Sequence, residues 1–379
     1  YQLELYQGIK HFLVFKRVIV KNICFFVGDI SRSGGTERVT CKLANYLTLN
    51  GFDVSIISIY GTNSAFFPLD EKVKKYKLFD RYLKGTLSFP LIIFRLRKLL
   101  KKKCIHKLIS VESMLALYSL PATFNLPIEN ICWEHFNFKI NLGKKTRNIA
   151  RRMAAEYCSY VITLTDRDKA YWENNLKCKA IIKRIYNPIP FDNMYLPKFE
   201  KKKRIAIAVG RLTHQKGFDV LIKIWADLYH YNANWTLKII GGGEEEHSLK
   251  TFCQNHDISN IEFISVTDNI QDYYSEASLY LMTSRYEGFP MVLLEAQEYG
   301  IPVLAFDCET GPSELILHNK TGWIINNNNV REFEERLIYA LNLFEKDHDT
   351  YNKMCHEAFL NSKNYHIENI GSQWINILK

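Results

Sequence analysis

Short, continuous apolar runs alternate with amphipathic stretches along this chain. Ile23, Cys24, Phe25, Phe26 and Val27 form a β-rich run of the kind expected for a strand covered on both faces. A loop over 28–35 follows, and Val39, Leu43, Tyr46 and Leu47 then recur at helical spacing until Asn50 and Gly51 signal a stop. Residues 54–59 read as a second buried strand, completing a β-α-β unit. The alternation restarts farther on, with strands over 205–209, 237–240, 279–283 and 303–306. Helices are expected over 218–229, 244–255 and 290–299 between them. This order predicts α/β architecture: parallel sheets with helices on both faces. The charged segment 198–204 reads as a linker, which gives domains over 1–197 and 198–354. Residues 355–379 are expected to form a helix that crosses back to the first domain. Tandem sheets of this kind leave a cleft, and ligands bind beyond the carboxyl ends of the strands.

Length agrees with this division. The chain has 379 residues, and at about 100 to 200 residues per domain two separate cores are expected. It is 47% hydrophobic and 24% charged with 18 Gly and 10 Pro, which excludes a disordered or collagen-like chain. The net charge of +10 is unevenly placed: residues 1–190 carry 32 Lys and Arg against 14 Asp and Glu, whereas 191–379 carry 18 against 26. A basic first half suits a polyanion, whether nucleic acid, a phosphate-rich ligand or an anionic membrane. The nine cysteines are scattered and never paired as C-x-x-C, which favours reduced thiols with no disulfide partner. No apolar run reaches the ~18 residues needed to span a bilayer, and 12–15 is too short for a signal-peptide core. The expectation is a soluble chain, or one lying on a membrane. Residues 1–17, starting at Tyr1, read as an extension without a function.

Candidate chemistry gathers in the strand-to-helix loops. In Ser284-Arg285-Tyr286-Glu287-Gly288-Phe289-Pro290-Met291-Val292-Leu293-Leu294-Glu295, a strand ends and a helix begins. Gly288 permits close backbone approach, Pro290 suits a first helical turn, and the free amides near Met291 and Val292 form an anion site. Glu287 stands in the loop and Glu295 one turn inside the helix, so the two carboxylates can flank a bound phosphate. Arg211 and Lys216 follow another buried strand and face the same crevice, where two cations match a diphosphate. Gly34 and Gly35 open the first helix. His135 ends the strand beginning at Ile131, with Glu134 a weaker candidate beside it. Asp166-Arg167-Asp168 has the D-x-D form of a metal site. However, Thr165 reads as an N-cap with both Asp residues in the first helical turn, so no metal is expected there, nor at Asp347-His348-Asp349.

Glu287 and Glu295 form the E-x7-E signature of the retaining glycosyltransferases of family 4, which have the two-Rossmann-domain GT-B fold. The resemblance also takes in Val209-Gly210-Arg211-Leu212-Thr213-His214-Gln215-Lys216-Gly217, Ile239-Ile240-Gly241-Gly242-Gly243-Glu244 and Ser33-Gly34-Gly35-Thr36-Glu37-Arg38. It runs from about Asn22 to the end. It implies that Arg211 and Lys216 bind the donor diphosphate, Glu287 the donor sugar and Glu295 the ribose. Phe289, Pro290, Met291 and Val292 complete the donor site. Gly243 and Val266 would flank the nucleobase, although Ser265 stands where the family has Gly. The Gly34-Gly35 loop would close over the diphosphate, and His135 would lie near the acceptor and donor sugar as a catalytic group.

Residues 91–103 predict a basic amphipathic helix. Ile92, Leu96, Leu99 and Leu100 share one face, and Arg95, Arg97, Lys98, Lys101 and Lys102 supply the charge. This reads either as a membrane-surface element or as an ordinary helix packed on its sheet. Lys144, Lys145, Arg147, Arg151 and Arg152 form a second cluster suited to an acceptor diphosphate. The arrangement resembles family members that extend lipid-diphosphate-linked oligosaccharides, particularly bacterial N-acetylgalactosaminyltransferases, in the text Glu134-His135-Phe136-Asn137 followed by Arg151-Arg152. Cys308-Glu309-Thr310-Gly311-Pro312-Ser313-Glu314 resembles a subgroup making surface polysaccharides. The resemblance therefore implies metal-independent transfer of a hexose or N-acetylhexosamine from a UDP-sugar to a polyprenyl-diphosphate-linked saccharide, at the cytoplasmic face of the cell membrane. An epimerase or phosphorylase of the same fold is one alternative. A nucleic-acid-binding protein is another, and it leaves the paired Glu and Arg/Lys groups of the acidic half without a role.

Overall fold

The computed structural model describes residues 21–62, 64–82, 88–141, 143–191, 197 and 202–379. The stretch 1–17 and most of the linker (198–201) lie outside these. Among the described residues, thirteen strands form two sheets. The first contains β1 (Asn22–Val27), β2 (Asp53–Ser58), β3 (Lys74–Lys77), β4 (Lys107–Val111), β5 (Glu129–Trp133), β6 (Tyr160–Thr163) and β7 (Ile181–Arg184), in the order β3-β2-β1-β4-β5-β6-β7. The second contains β8 (Ile205–Val209), β9 (Thr236–Ile240), β10 (Ile261–Ile264), β11 (Leu279–Met282), β12 (Val303–Asp307) and β13 (Gly322–Asn326), in the order β10-β9-β8-β11-β12-β13. All pairings are parallel, with β1 registered against β2 at Phe25↔Ile56 and against β4 at Phe25↔Ile109.

Burial follows the apolar runs. From Ile23 to Val27 β1 is buried, as a strand flanked on both sides must be. The edge strand β3 is a run of lysines around Tyr76 and lies largely in solvent. Charge of this kind protects an open sheet edge from pairing with another chain. It also removes the alternation by which a strand is recognised. In the basic helix Ser88–Lys102, Ile92, Leu96 and Leu100 are buried at one-turn spacing, and Leu99 is only half-buried.

In each sheet the strand order reverses beside the first strand, at β1 and at β8, the position where a crevice opens in a doubly wound sheet. The loops after β1, β5, β8 and β11 therefore meet in one cleft. Behind it, the end of the linker is anchored on the second domain, and the last helix joins the two domains. Lys202, at the end of the linker, is buried rather than solvated: its ammonium donates to the carbonyls of Tyr274 (3.2 Å) and Tyr299 (2.9 Å), and burial pushes its pKa down to about 8. The last helix, Ile367–Leu378, lies on the first domain. Trp374 packs edge-on against Trp133 at 4.8 Å, and Lys107 donates to the Ile377 carbonyl at 3.1 Å. The apolar cluster so formed contains residues of both sheets.

Candidate functional site

Loop 210–217 and loop 283–290 are bound to each other before they bind anything else. The Arg285 amide donates to the Gln215 carbonyl (2.8 Å), Gln215 Nε2 to the Tyr286 carbonyl (3.0 Å), and Thr283 Oγ1 to the Gly217 carbonyl (2.9 Å). Gly217 has φ +66°, and a Cβ there would meet the Thr283 carbonyl at 2.2 Å, so only glycine allows the loops so close. The consequence is that Lys216 Nζ lies 2.7 Å from Glu287 Oε1, with both side chains largely covered. Arg211 is exposed on the same loop. The helix Met291–Glu298 starts just beyond, with Pro290 as its N-cap rather than inside its first turn. Among the described residues no acceptor takes the Met291 and Val292 amides, which leaves them available to an anion.

Glu295 lies one turn inside this helix and is 7% exposed. Tyr274 donates to its Oε2 at 2.9 Å, and Arg38 Nη1 stands 3.8 Å from its Oε1. Burial raises the Glu295 pKa despite the opposing pull of Arg38 and Tyr274. Arg38 comes from the first domain, one turn after Gly34 and Gly35. The sequence reading assigned no role to Arg38 or Tyr274; the only signal was that Arg38 follows the paired glycines. Gly35 faces open space, whereas the face of Gly34 is occupied by the Glu37 carboxylate. On the far side Val266 is 81% exposed and Gly242 lies against it, with Gly243 packed over the Leu212 carbonyl.

From the first domain, the loop after β5 completes the cleft. A Cβ on Gly288 would meet the His135 carbonyl at 2.7 Å, so the glycine lets the two candidate catalytic segments touch. The His135 residue is partly exposed, yet its Nε2 is covered and has no hydrogen-bond partner. Burial pushes its pKa from 6.5 down to about 3, leaving a neutral imidazole. Folding therefore opposes protonation, and the contribution of His135 to stability is complete above pH 6.5 and is lost as pH falls toward 3. Urea unfolding of the wild-type chain and His135→Asn should diverge progressively across that window; parallel pH profiles would refute the buried neutral ring.

Several charged residues read from sequence as binding groups are held by the fold instead. Arg151 is not a free cation for an acceptor phosphate. It is 1% exposed, its Nε binds Glu134 Oε2 (3.2 Å), and its Nη atoms donate to the carbonyls of Phe138, Asn137 (2.8 Å) and Ile140 (3.2 Å). Glu134 is likewise structural: it is buried and accepts the amides of His135 and Phe136, both at 3.1 Å. Arg147 is buried between Glu112 (3.4 Å) and the Phe136 ring, so only Lys144, Lys145 and Arg152 of that cluster face solvent. On the basic helix, Arg95 donates to the Leu78 carbonyl (2.6 Å), and Arg97 to those of Ala122 (2.9 Å) and Phe124 (2.6 Å). Those two hold neighbouring loops, although Arg95 remains exposed; Lys98, Lys101 and Lys102 are exposed as well.

Thr165 caps the helix Asp166–Asn175 by accepting the Asp168 amide at 3.0 Å, and Asp168 accepts the Phe138 amide at 2.7 Å. Glu314 of the second domain accepts the Asp166 and Arg167 amides at 2.8 and 3.0 Å. Among the described residues no group of three or more His, Cys, Asp or Glu is placed to hold a metal ion, and no helix is long and apolar enough to cross a membrane.

The family described as Glycosyltransferase Family 4 matches residues 33–193, and that described as Glycosyl transferases group 1 matches 196–354. The chain is 30% identical to the amylovoran biosynthesis glycosyltransferase AmsD of Erwinia amylovora, over 94% of this chain and 99% of AmsD. It is 26% identical to the GalNAc-alpha-(1->4)-GalNAc-alpha-(1->3)-diNAcBac-PP-undecaprenol alpha-1,4-N-acetyl-D-galactosaminyltransferase of Campylobacter jejuni, over 94% and 98% of the two chains. HepE of Anabaena, solved with UDP and glucose, has the same GT-B fold: TM-score 0.76 at 17% identity, covering 94% of this chain and 98% of that one.

Proposed function

The chain belongs to glycosyltransferase family 4, and from this premise we propose that it is a retaining enzyme moving a hexose or N-acetylhexosamine from a UDP-sugar to a polyprenyl-diphosphate-linked saccharide. The observation that carries the reading is the convergence of Glu287, Lys216, Glu295 and the start of helix Met291–Glu298 on one cleft. Glu287 holds the donor sugar hydroxyls and Glu295 the ribose. Lys216, Arg211 and the Met291 and Val292 amides take the diphosphate, so its charge is met without a resident metal. The acceptor hydroxyl attacks from the face that the nucleotide leaves, and its proton passes to the departing phosphate. His135, neutral at its buried ring, can hydrogen-bond a hydroxyl of acceptor or donor. Incubation with UDP-GalNAc, UDP-Gal, UDP-GlcNAc and UDP-Glc should single out one donor that raises the unfolding temperature and is hydrolysed slowly; hydrolysis of none rejects the reading.

The acceptor side is read from the basic helix. Phe89, Leu91 and Phe94 are exposed on it together with Lys98, Lys101 and Lys102, a combination suited to the surface of an anionic membrane. The enzyme would then sit on the cytoplasmic face, where lipid-linked saccharides of surface polysaccharide assembly present their diphosphate. Each lysine contributes about 1 kcal/mol near anionic lipid. Changing all three to Gln should weaken binding to phosphatidylglycerol vesicles by about 100-fold while leaving UDP affinity unchanged. Undiminished vesicle binding would dismiss this helix as the membrane contact.

A further inference from the structure

The segment 308–314, given no part in donor binding above, makes several polar contacts with the first domain. This inference rests on the reading of Glu287 given above. Thr310 is fully buried, and its Oγ1 lies 2.7 Å from the Glu287 carbonyl and 3.1 Å from that of Gly288. Asn137, from the first domain and 3% exposed, points Nδ2 at Thr310 Oγ1 (3.3 Å) and at the same Glu287 carbonyl (3.5 Å, the limit of a hydrogen bond). Asn137 is itself held: its carbonyl accepts from Arg151, and its Oδ1 accepts the Lys139 amide at 2.8 Å. A chain of bonds thus runs from the buried Glu134–Arg151 pair through Asn137 and Thr310 to the backbone of Glu287.

Contacts on either side keep this chain in register. Tyr171 donates to Glu309 Oε1 at 2.9 Å, Lys139 pairs with the same carboxylate, and Arg167 donates to the Glu309 carbonyl at 2.9 Å. We propose that Asn137 and Thr310 are positioning residues, which hold the backbone of Glu287 relative to the loop that carries His135 and make that placement conditional on contact between the domains. The physical reason is the origin of the two groups: His135 and Glu287 come from different domains, so no bond within either domain can set their separation. A misplacement of about 1 Å can cost ~100-fold in rate. Nucleotide binding depends on Arg211, Lys216 and Glu295; of these only Lys216 meets this chain of bonds, through the Glu287 carboxylate, so breaking the chain should tell mainly on turnover.

Thr310→Val keeps shape and burial but removes the donor. With the UDP-sugar selected by the four-donor screen, kcat should fall about 10- to 100-fold, with a far smaller change in UDP affinity measured by calorimetry. Thr310→Ser, which retains the hydroxyl, should restore turnover. If Thr310→Val does not fold, Asn137→Ala severs the same chain one bond earlier and is read in the same way. Undiminished kcat, a Ser variant as defective as Val, or a parallel loss of UDP affinity overturns the positioning role while leaving the donor site standing. A wild-type chain that turns over no UDP-sugar removes the donor reading and this inference together.

Discussion

Replacing Glu287 with Ala should lower sugar transfer by roughly 10²- to 10³-fold, the range seen when one preorganised electrostatic contact is removed from a reacting centre. Two effects combine. The donor sugar loses its carboxylate partner, and Lys216, held 2.7 Å from Glu287, loses the group that fixes its ammonium near the start of helix Met291–Glu298. Lys216→Ala should also depress transfer strongly, but with a different signature. A residue that holds the diphosphate weakens UDP binding directly, whereas loss of Glu287 acts on the bound sugar and appears mainly in kcat. Steady-state transfer assays paired with UDP titrations separate the two. Unimpaired transfer by both variants would end the assignment of this site.

Arg151→Met should destabilise the fold by about 3 to 5 kcal/mol, because it takes from Glu134, itself 1% exposed, its closer cationic partner and leaves only the longer approach of Arg147 at 3.9 Å. Loss of the bonds to the Phe138, Asn137 and Ile140 carbonyls adds to this. The double variant Glu134→Gln with Arg151→Met should recover part of the loss, since no uncompensated charge then remains. Arg152→Ala, one residue along and exposed, should stay within about 0.5 kcal/mol of wild type. Urea unfolding midpoints decide the matter. An Arg151→Met chain of normal stability that binds acceptor poorly would return Arg151 to the binding role expected from sequence.

The two neighbouring arginines illustrate the limit of charge reading. Arg151 and Arg152 look alike as text, but on the helix Thr146–Tyr157 one turns into the seam with loop 134–140 and the other into solvent. Arg95 and Arg97 likewise end on backbone carbonyls, whereas among the described residues no such bond holds Lys98, Lys101 or Lys102. Short charged strands such as β3 were equally hidden, because an edge strand needs no apolar face. By contrast β1, β8 and β11 were legible from their apolar runs, since a strand buried on both faces tolerates little else.

What the amino-acid sequence determines by itself is local: buried strands, the helices between them, and loops in which Gly, Glu and Lys stand where a strand gives way to a helix. The E-x7-E spacing belongs to this class, because eight residues across a loop and a helical turn fix how far apart the two positions lie along the backbone. Tertiary structure decided whatever depends on residues far apart in the chain. It brought Lys216 to Glu287, Arg38 and Tyr274 to Glu295, and Asn137 and Thr310 to the Glu287 carbonyl. It also sorted the cations into those held by buried partners and those left to solvent. Side-chain chemistry is written in the sequence, but which partner satisfies each charge is set only when two sheets and a returning helix close around one cleft.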